Sequence, residues 1–143
     1  MVVTKKIQLK TDPTADEYHI HIIDITSQVE QQVAQTGIDN GLATVFVNGS
    51  TASVTTIESE SGLIADFKSM WQRNVPENIS YEHDRRWADG NGYSHIRASL
   101  LGASLSVPVT EKRLTLGTWQ QIILVDFDNR PRSREIILQI TGE

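Results

Sequence analysis

Alternation of apolar and polar residues with a period of two is the feature that most constrains how this chain can fold. Such alternation is typical of half-buried β-strands, because successive side chains of a strand point to opposite faces of the sheet. The segments that show this alternation, or a β-branched apolar run, are 3–9, 18–22, 42–47, 53–57, 105–109, 113–116, 119–127 and 133–140. A fold built mainly from strands is therefore predicted.

Helical spacing is confined to three short segments. Residues 27–36 begin with Ser27 three positions before Glu30, which is the spacing of a capping box. The apolar side chains of residues 63–71 recur on one helical face, and residues 94–101 predict a shorter helix. Because these helices do not alternate regularly with the strands, we predict an α+β fold, a mostly antiparallel two-sheet β-sandwich with two or three helices.

Length and composition narrow the possible classes of protein. A chain of 143 residues has the size of one domain, which we place at residues 1–143. The absence of cysteine excludes disulfides, thiolate metal sites and cysteine nucleophiles. A formal net charge of −5 disfavours nucleic acid as a partner, and no apolar run has the length of a membrane span. We therefore expect a cytoplasmic protein whose partners include neither nucleic acid nor membranes.

The polar segment of residues 83–95 holds the densest group of chemically reactive side chains. It contains two histidines, two aspartates and an asparagine, and imidazole and carboxylate groups suit Zn²⁺, Mn²⁺ and related ions. A solvent-exposed loop, whose Asp and Arg side chains form weak surface pairs, explains the same residues equally well. A loop as long as residues 76–94 is uncommon in a compact domain unless it is functional or disordered. The spacing alone leaves both interpretations open.

Five further residues are candidates for binding an anion. Arg85, Arg86 and Arg97 carry guanidinium forks that suit phosphate oxygens, although each could instead balance a nearby acid. Ser50 and Thr51 lie in a polar break between two strands, where backbone amides could face an anion. An ordinary turn explains that break equally well.

Two groups near predicted strand ends complete the candidates. Glu58 follows residues 53–57 and precedes the second helix, so it could bind a metal, act as a general base or complement the helix N-terminus. Thr118 and Gln120 flank Trp119 between two strands and could place polar groups in a ligand pocket. Trp119 by itself is expected in the core.

Five segments, taken in order and spacing, resemble the YjbQ family, also called the secondary thiamine-phosphate synthase family. The resemblance covers nearly the whole chain, and the Leu-Leu-Gly and Gly-Thr-Trp-Gln segments are its most specific parts. The matching segments are 49–58, 83–95, 100–105 with Pro108, 116–120 and 139–143.

The resemblance implies a fold, an assembly and an activity. It implies an α+β sandwich that forms a homotrimer, with a polar pocket near subunit boundaries where the family's histidines gather. It also implies a weak activity that joins a pyrimidine pyrophosphate to a thiazole phosphate, giving thiamine phosphate and pyrophosphate. The ligand would therefore be a small phosphorylated molecule.

The resemblance also implies roles for single residues. His83 and His95 match the two histidines of the family's polar loop, Asp89 and Asn91 match its acidic and amide positions, and Glu58 matches its strand-end glutamate. The chain departs from the pattern at position 49. Many members carry a histidine there, within a His-Thr-Thr-Ala run, whereas this chain has glycine followed by Ser-Thr-Ala. A metal site made of three histidines is therefore not expected.

Our first hypothesis is a metal-assisted transferase. A divalent cation such as Zn²⁺, Mg²⁺ or Mn²⁺, held by His83, His95 and Asp89, would neutralise pyrophosphate charge. His95 and Glu58 would be catalytic, with Glu58 orienting water or moving a proton. The residues expected to bind substrate are Ser50, Thr51, Arg85, Arg86, Asn91, Arg97, Thr118 and Gln120.

Two other hypotheses use the same residues. A non-catalytic trimer that captures a small phosphorylated or carboxylated metabolite would explain the lack of a complete catalytic set and the glycine at position 49. A metal-dependent hydrolase is the third possibility. All three hypotheses require His83 and His95 to face one shared cavity.

Overall fold

Two antiparallel sheets form the framework of the protein. The computed structural model describes all residues, Met1–Glu143. The strands are β1 Val2–Thr11, β2 His21–Asp24, β3 Asn40–Val47, β4 Ala52–Ile57, β5 Ser104–Thr110, β6 Arg113–Leu114, β7 Gln121–Asp126 and β8 Arg132–Gly142. The helices are α1 Thr26–Thr36, α2 Ser61–Asn74, α3 Glu82–Trp87 and α4 Gly92–Leu101.

The strand order explains which segments of the chain meet. One sheet has five strands in the order β1-β8-β3-β5-β6, and the other has three in the order β2-β7-β4. Strand β8 pairs with β1 on one side and with β3 on the other, antiparallel in both cases. The prediction of an α+β fold with two antiparallel sheets is confirmed. No helix is both long and apolar enough to cross a membrane.

The larger core lies between the two sheets. It contains seventeen buried side chains, and α1 contributes Val29 and Val33. Strand β8 supplies Ile136, Leu138 and Ile140, which alternate with more exposed residues as the period-two pattern predicts. Burial of side chains of this size stabilises the fold by roughly 1.5–3 kcal/mol each.

A second core covers the outer face of the three-stranded sheet. Helices α2 and α4 pack there, and the ring of Trp71 lies 5.1 Å from that of Phe127 in an edge-on arrangement. Arg97 of α4 is fully buried beside this core, where its Nε donates to the carbonyl oxygen of Val75 at 2.9 Å. The predicted packing of the second helix on a sheet is confirmed.

The structure differs from the sequence prediction in several elements. It has four α-helices, because α3 forms inside the segment that was expected to be a loop. The acidic residues in the first turn of α3 and the arginines in its last turn both favour the helix dipole. The strand expected at 18–22 begins only at His21.

Trp119 is the clearest correction. Its side chain was expected in the core, but the residue is 72% exposed. Residues 117–120 form a tight turn before β7, in which the Gln120 amide donates to the Gly117 carbonyl at 3.0 Å. This turn directs the indole away from both cores.

Candidate functional site

A polar cavity of about 510 Å³ opens at one end of the sandwich. It lies where β4 begins, where β7 ends and β8 begins, and beside α3 and the first turns of α4. Trp87 supplies its one large apolar wall. The lining residues are Gly49, Ser50, Thr51, His83, Trp87, Asp89, Asn91, His95, Arg130, Arg132 and Arg134.

A charged layer of the sandwich interior forms the floor of this cavity. The interior face of β8 carries isoleucine and leucine along most of its length, but at its first residues the same face carries Arg132 and Arg134. On β7, in the facing sheet, the last inward-pointing residue is Asp126, and the next position of the same alternation, just beyond the strand, is Asp128. The interior therefore changes from apolar to ionic at this end.

Arg134 is held in one orientation. Its Nε and Nη2 donate to the two oxygens of Asp126 at 2.7 and 2.9 Å, and Nη2 also donates to the hydroxyl of Thr51 at 2.6 Å. Asp126 is fully buried and Arg134 nearly so. A bidentate pair of this kind fixes the plane of the guanidinium group.

Asp128 is the centre of a second buried network. Its carboxylate accepts hydrogen bonds from the Thr51 hydroxyl at 2.8 Å, Arg132 Nε at 2.7 Å, Asn91 Nδ2 at 3.3 Å and the Asn129 amide at 2.7 Å. Burial alone raises the pKa of Asp128, but these hydrogen bonds outweigh it and leave the pKa below its ordinary value. Asp128 is therefore ionised at neutral pH.

The two histidines lie together at the wall of the cavity. His83 of α3 and His95 of α4 have ring centroids 4.5 Å apart and planes tilted by 45°. The two helices meet closely because the Gly92 amide donates to Asp84 Oδ1 at 2.9 Å, and a Cβ at Gly92 would lie 2.7 Å from that of Tyr81. The arrangement that all three hypotheses require is present.

One side of the cavity has the donor atoms that a divalent cation needs. Ligand atoms of His83, Asp84 and Asp89 lie within 4.8 Å of one another. His83 Nδ1 and Asn91 Oδ1 are buried without a hydrogen-bond partner, and Nδ1 lies 3.3 Å from Asp89 Oδ1 and 3.6 Å from Asp84 Oδ1. This set of nitrogen and oxygen atoms fits a divalent cation.

The composition of this cation group differs from the predicted one. Asp84 joins His83 and Asp89, whereas His95 is not a member of the group. Asp84 follows His83 in α3, so the two side chains emerge from one turn, and His95 comes from another helix. Six predicted site residues line the cavity: Ser50, Thr51, His83, Asp89, Asn91 and His95.

The structure does not bring the three predicted arginines to the cavity. Arg85 points to solvent and pairs with Glu82 at 2.7 Å, and Arg86 lies over the exposed ring of Trp87. Arg97 faces the second core because it follows Tyr93 by one helical turn. Its burial lowers its pKa, and its nitrogens donate to main-chain carbonyls instead of a ligand.

Glu58, Thr118 and Gln120 lie at the opposite end of the three-stranded sheet. Glu58 and Thr118 border a separate depression of about 360 Å³ beside Trp119. Gln120 donates to the Thr56 hydroxyl and accepts from the Gly117 amide, both at 3.1 Å, which stabilises its own turn. The six residues of β4 separate this end from the cavity by roughly 20 Å, so Glu58 cannot reach the same ligand within one chain.

The residues that make the cavity basic were not among those predicted from the sequence. Arg130, Arg132 and Arg134 line it, and Asp126 and Asp128 hold two of them in place. A signal was available, because arginines at every second position continue the inward phase of a strand. Such residues cannot face an apolar core, and they therefore indicate where the core ends.

Comparisons with known proteins give one consistent result. Residues 6–143 match the family model described as UPF0047 protein YjbQ-like. A UPF0047 protein from Methanothermobacter thermautotrophicus is 39% identical over 142 residues, which is 99% of this chain and 94% of the relative. YugU from Bacillus subtilis is 37% identical over 96% of this chain and 98% of its own length.

Solved structures agree with these sequence matches. A YbjQ-like protein of unknown function from Sulfolobus solfataricus is 35% identical and superposes with a TM-score of 0.88 over 100% of both chains. A protein of the yjbq/upf0047 family from Clostridium acetobutylicum is 31% identical with a TM-score of 0.84, over 96% of this chain and 99% of its own.

Proposed function

This chain belongs to the UPF0047 family of YjbQ-like proteins, and we propose that it is a transferase that binds a pyrophosphate group in the polar cavity. The observation that carries the proposal is that one cavity combines cationic side chains with the donor atoms of a cation site. Arg130, Arg132 and Arg134, here called the arginine wall, line the cavity together with His83 and Asp89, which form a cation-binding group with Asp84. A pyrophosphate group has enough oxygen atoms to contact both the arginines and a bound cation.

The arginine wall supports binding of an oxyanion. Arg132 and Arg134 each use Nε to bind a buried aspartate, which leaves terminal nitrogens available to a ligand. Because the two guanidinium groups are already oriented, little side-chain entropy is lost when an anion binds. The Thr51 hydroxyl accepts from Arg134 Nη2 at 2.6 Å, and Ser50 also lines the cavity.

The histidines and aspartates of the cavity support a divalent cation and proton transfer. A cation held by His83, Asp84 and Asp89 would supply positive charge to the pyrophosphate oxygens. His95 lies outside that group, with its ring 4.5 Å from that of His83, so its imidazole is available to donate a proton to a departing oxygen. Asn91 Oδ1 can accept a hydrogen bond from the organic part of the ligand.

The reaction that we propose is the formation of thiamine phosphate. The thiazole nitrogen forms a bond to the methylene carbon of the pyrimidine, and the bond from that carbon to the pyrophosphate oxygen breaks. The electron pair leaves with the pyrophosphate. The side chains of the cavity stabilise this leaving group, whose negative charge grows as the bond breaks.

The test is product formation by purified protein. Native protein with Mg²⁺, Mn²⁺ or Zn²⁺ and the two precursors should form thiamine phosphate and pyrophosphate in equal amounts, measured by chromatography. The His95→Ala variant should form neither above background. Absence of thiamine phosphate with every metal would contradict the proposed reaction.

A second candidate is a binding protein without catalysis. The position of Glu58 favours it, because the residue expected to move a proton lies at the far end of β4 from the cavity. Calorimetry with pyrophosphate, together with the product assay on the two precursors, distinguishes the two. Binding without turnover of the two precursors would favour the binding protein.

We also propose that the protein assembles as a homotrimer. The family resemblance is the basis of this proposal. Sedimentation equilibrium should give three times the monomer mass of 16.0 kDa. A monomer at micromolar concentration would contradict it.

A further inference from the structure

The space beside Gly49 is occupied by one nitrogen of Arg134. A Cβ atom built on Gly49 would lie 2.7 Å from Arg134 Nη1 and 3.7 Å from its Cζ. The backbone at Gly49 is outside the left-handed region, so its conformation does not require glycine. Glycine at position 49 therefore matters because it leaves room for Arg134.

Arg134 cannot move aside easily to make room for a side chain. Two of its nitrogens are held by Asp126, and one of these also donates to Thr51. Asp126 is itself fixed by the Thr11 hydroxyl at 2.5 Å and by the Asp128 amide at 3.0 Å. A shift of the guanidinium group would break a buried bidentate pair, which is costly.

Nη1 is the part of Arg134 that remains available to a ligand. Arg134 lines the cavity, and Nε and Nη2 are both committed to the chain, whereas Nη1 makes no hydrogen bond within it. The two N–H groups of Nη1 are therefore uncommitted donors of a charged group whose orientation is already set.

We propose that Gly49 is a specificity-determining residue, because its missing side chain lets Arg134 Nη1 reach the cavity and bind a terminal oxyanion of the ligand. The inference rests on the proposed pyrophosphate site and adds that position 49 determines whether the anion can bind there. Any side chain at position 49 excludes Nη1 from this place. The ligand class is a phosphate or pyrophosphate group with unesterified oxygens next to residues 49–51.

The experiment compares affinities for inorganic pyrophosphate by calorimetry, in EDTA so that no cation contributes. Gly49→Ala should weaken binding at least about tenfold, which corresponds to one charge-assisted hydrogen bond. Gly117→Ala is the matched control. Its new Cβ would meet Gln120 atoms at the ordinary distances of 3.7 and 3.8 Å, and it lies at the other end of the sheet. Its affinity should stay within twofold of native.

A double-mutant cycle shows whether Gly49 acts through Arg134. Arg134→Lys should weaken pyrophosphate binding, and Gly49→Ala should add less than a twofold loss in that background, because the nitrogen that it displaces is gone. If Gly49→Ala alone does not fold, the Arg134→Lys background still gives a test, because the flexible lysine leaves room for the new methyl group and a loss of more than twofold on adding Gly49→Ala there would overturn the role.

The outcomes separate the two proposals. If native protein binds pyrophosphate and Gly49→Ala binds it as tightly, the role of Gly49 is overturned and the pyrophosphate site remains. Fully additive losses in the double mutant would also overturn that role. If native protein binds neither pyrophosphate nor phosphate with or without Mg²⁺, the proposed function fails and the role of Gly49 fails with it.

Discussion

Replacement of Asp128 by asparagine should be strongly destabilising although it changes few atoms. The carboxylate is completely buried and receives four hydrogen bonds, two on each oxygen. Asparagine keeps the shape but offers one acceptor oxygen, so two of the four donors lose their partner in either orientation of the amide.

The expected loss follows from those contacts. All four hydrogen bonds to the Asp128 carboxylate are charge-assisted, the one from Arg132 and the three from neutral donors alike. Each such bond contributes about 1.5–3 kcal/mol. Loss of two, together with incompletely neutralised arginines, should lower the free energy of unfolding by about 3–5 kcal/mol. That is a large share of the roughly 5–15 kcal/mol of a typical domain.

Urea denaturation at pH 7, followed by tryptophan fluorescence, measures this loss. Asp66→Asn is the control, because Asp66 is exposed on α2 and the same substitution there should change stability by no more than about 0.5 kcal/mol. A loss below about 1 kcal/mol for Asp128→Asn would refute the view that this carboxylate organises the floor of the cavity.

The pH dependence of the free energy of unfolding tests the same carboxylate independently. The pKa of Asp128 is lower in the folded protein than in the unfolded chain, so its ionisation stabilises the fold above the ordinary Asp pKa of about 3.9. This contribution is lost as the pH falls through the lower pKa of the folded state. The stability difference between native protein and Asp128→Asn should therefore narrow in that acidic range.

Three further predictions separate cavity residues from structural ones. Arg97→Ala should lower the thermal midpoint, because lost packing and buried hydrogen bonds reduce the free energy of unfolding by about 2–4 kcal/mol. Pyrophosphate affinity should stay within twofold of native at low temperature, and a tenfold change would place Arg97 in the site. Glu58→Gln should leave pyrophosphate affinity unchanged, because Glu58 lies at the far end of β4 from the cavity, and a fivefold loss in calorimetry would contradict the placement of Glu58 outside the ligand site. His95→Ala should abolish thiamine phosphate formation while the urea midpoint stays near the native value; an unchanged rate would remove His95 from the chemistry.

The sequence predicted the framework because side-chain alternation reports directly on burial. Ile136, Leu138 and Ile140 alternate with more exposed residues, and the structure buries them as expected. Helix α3 could not be predicted in this way. None of its residues is buried, so it carries no apolar periodicity, and its stability comes from charge placement and its contact with α4.

The candidate site was predictable only where it is local in sequence. His83, Asp89, Asn91 and His95 come from one segment, and the structure brings them to one cavity. The inward phase of β8 marks Arg132 and Arg134 as the point where the apolar core ends, but their place beside His83 and Asp89 depends on how distant strands pair and pack, which no local pattern specifies. Glu58 was misplaced for a different reason, because it follows the predicted strand 53–57 whereas Ser50 and Thr51 precede that strand, and a strand holds its two ends apart.

The position of β8 between β1 and β3 in the larger sheet has a consequence for biosynthesis. β1 pairs only with β8, so β1 has no partner strand on the ribosome until residue 132 and those after it have emerged. The arginine wall arrives with that same strand. A nascent chain that stalls earlier therefore presents unsatisfied strand edges, which invite aggregation, and has no complete ligand cavity.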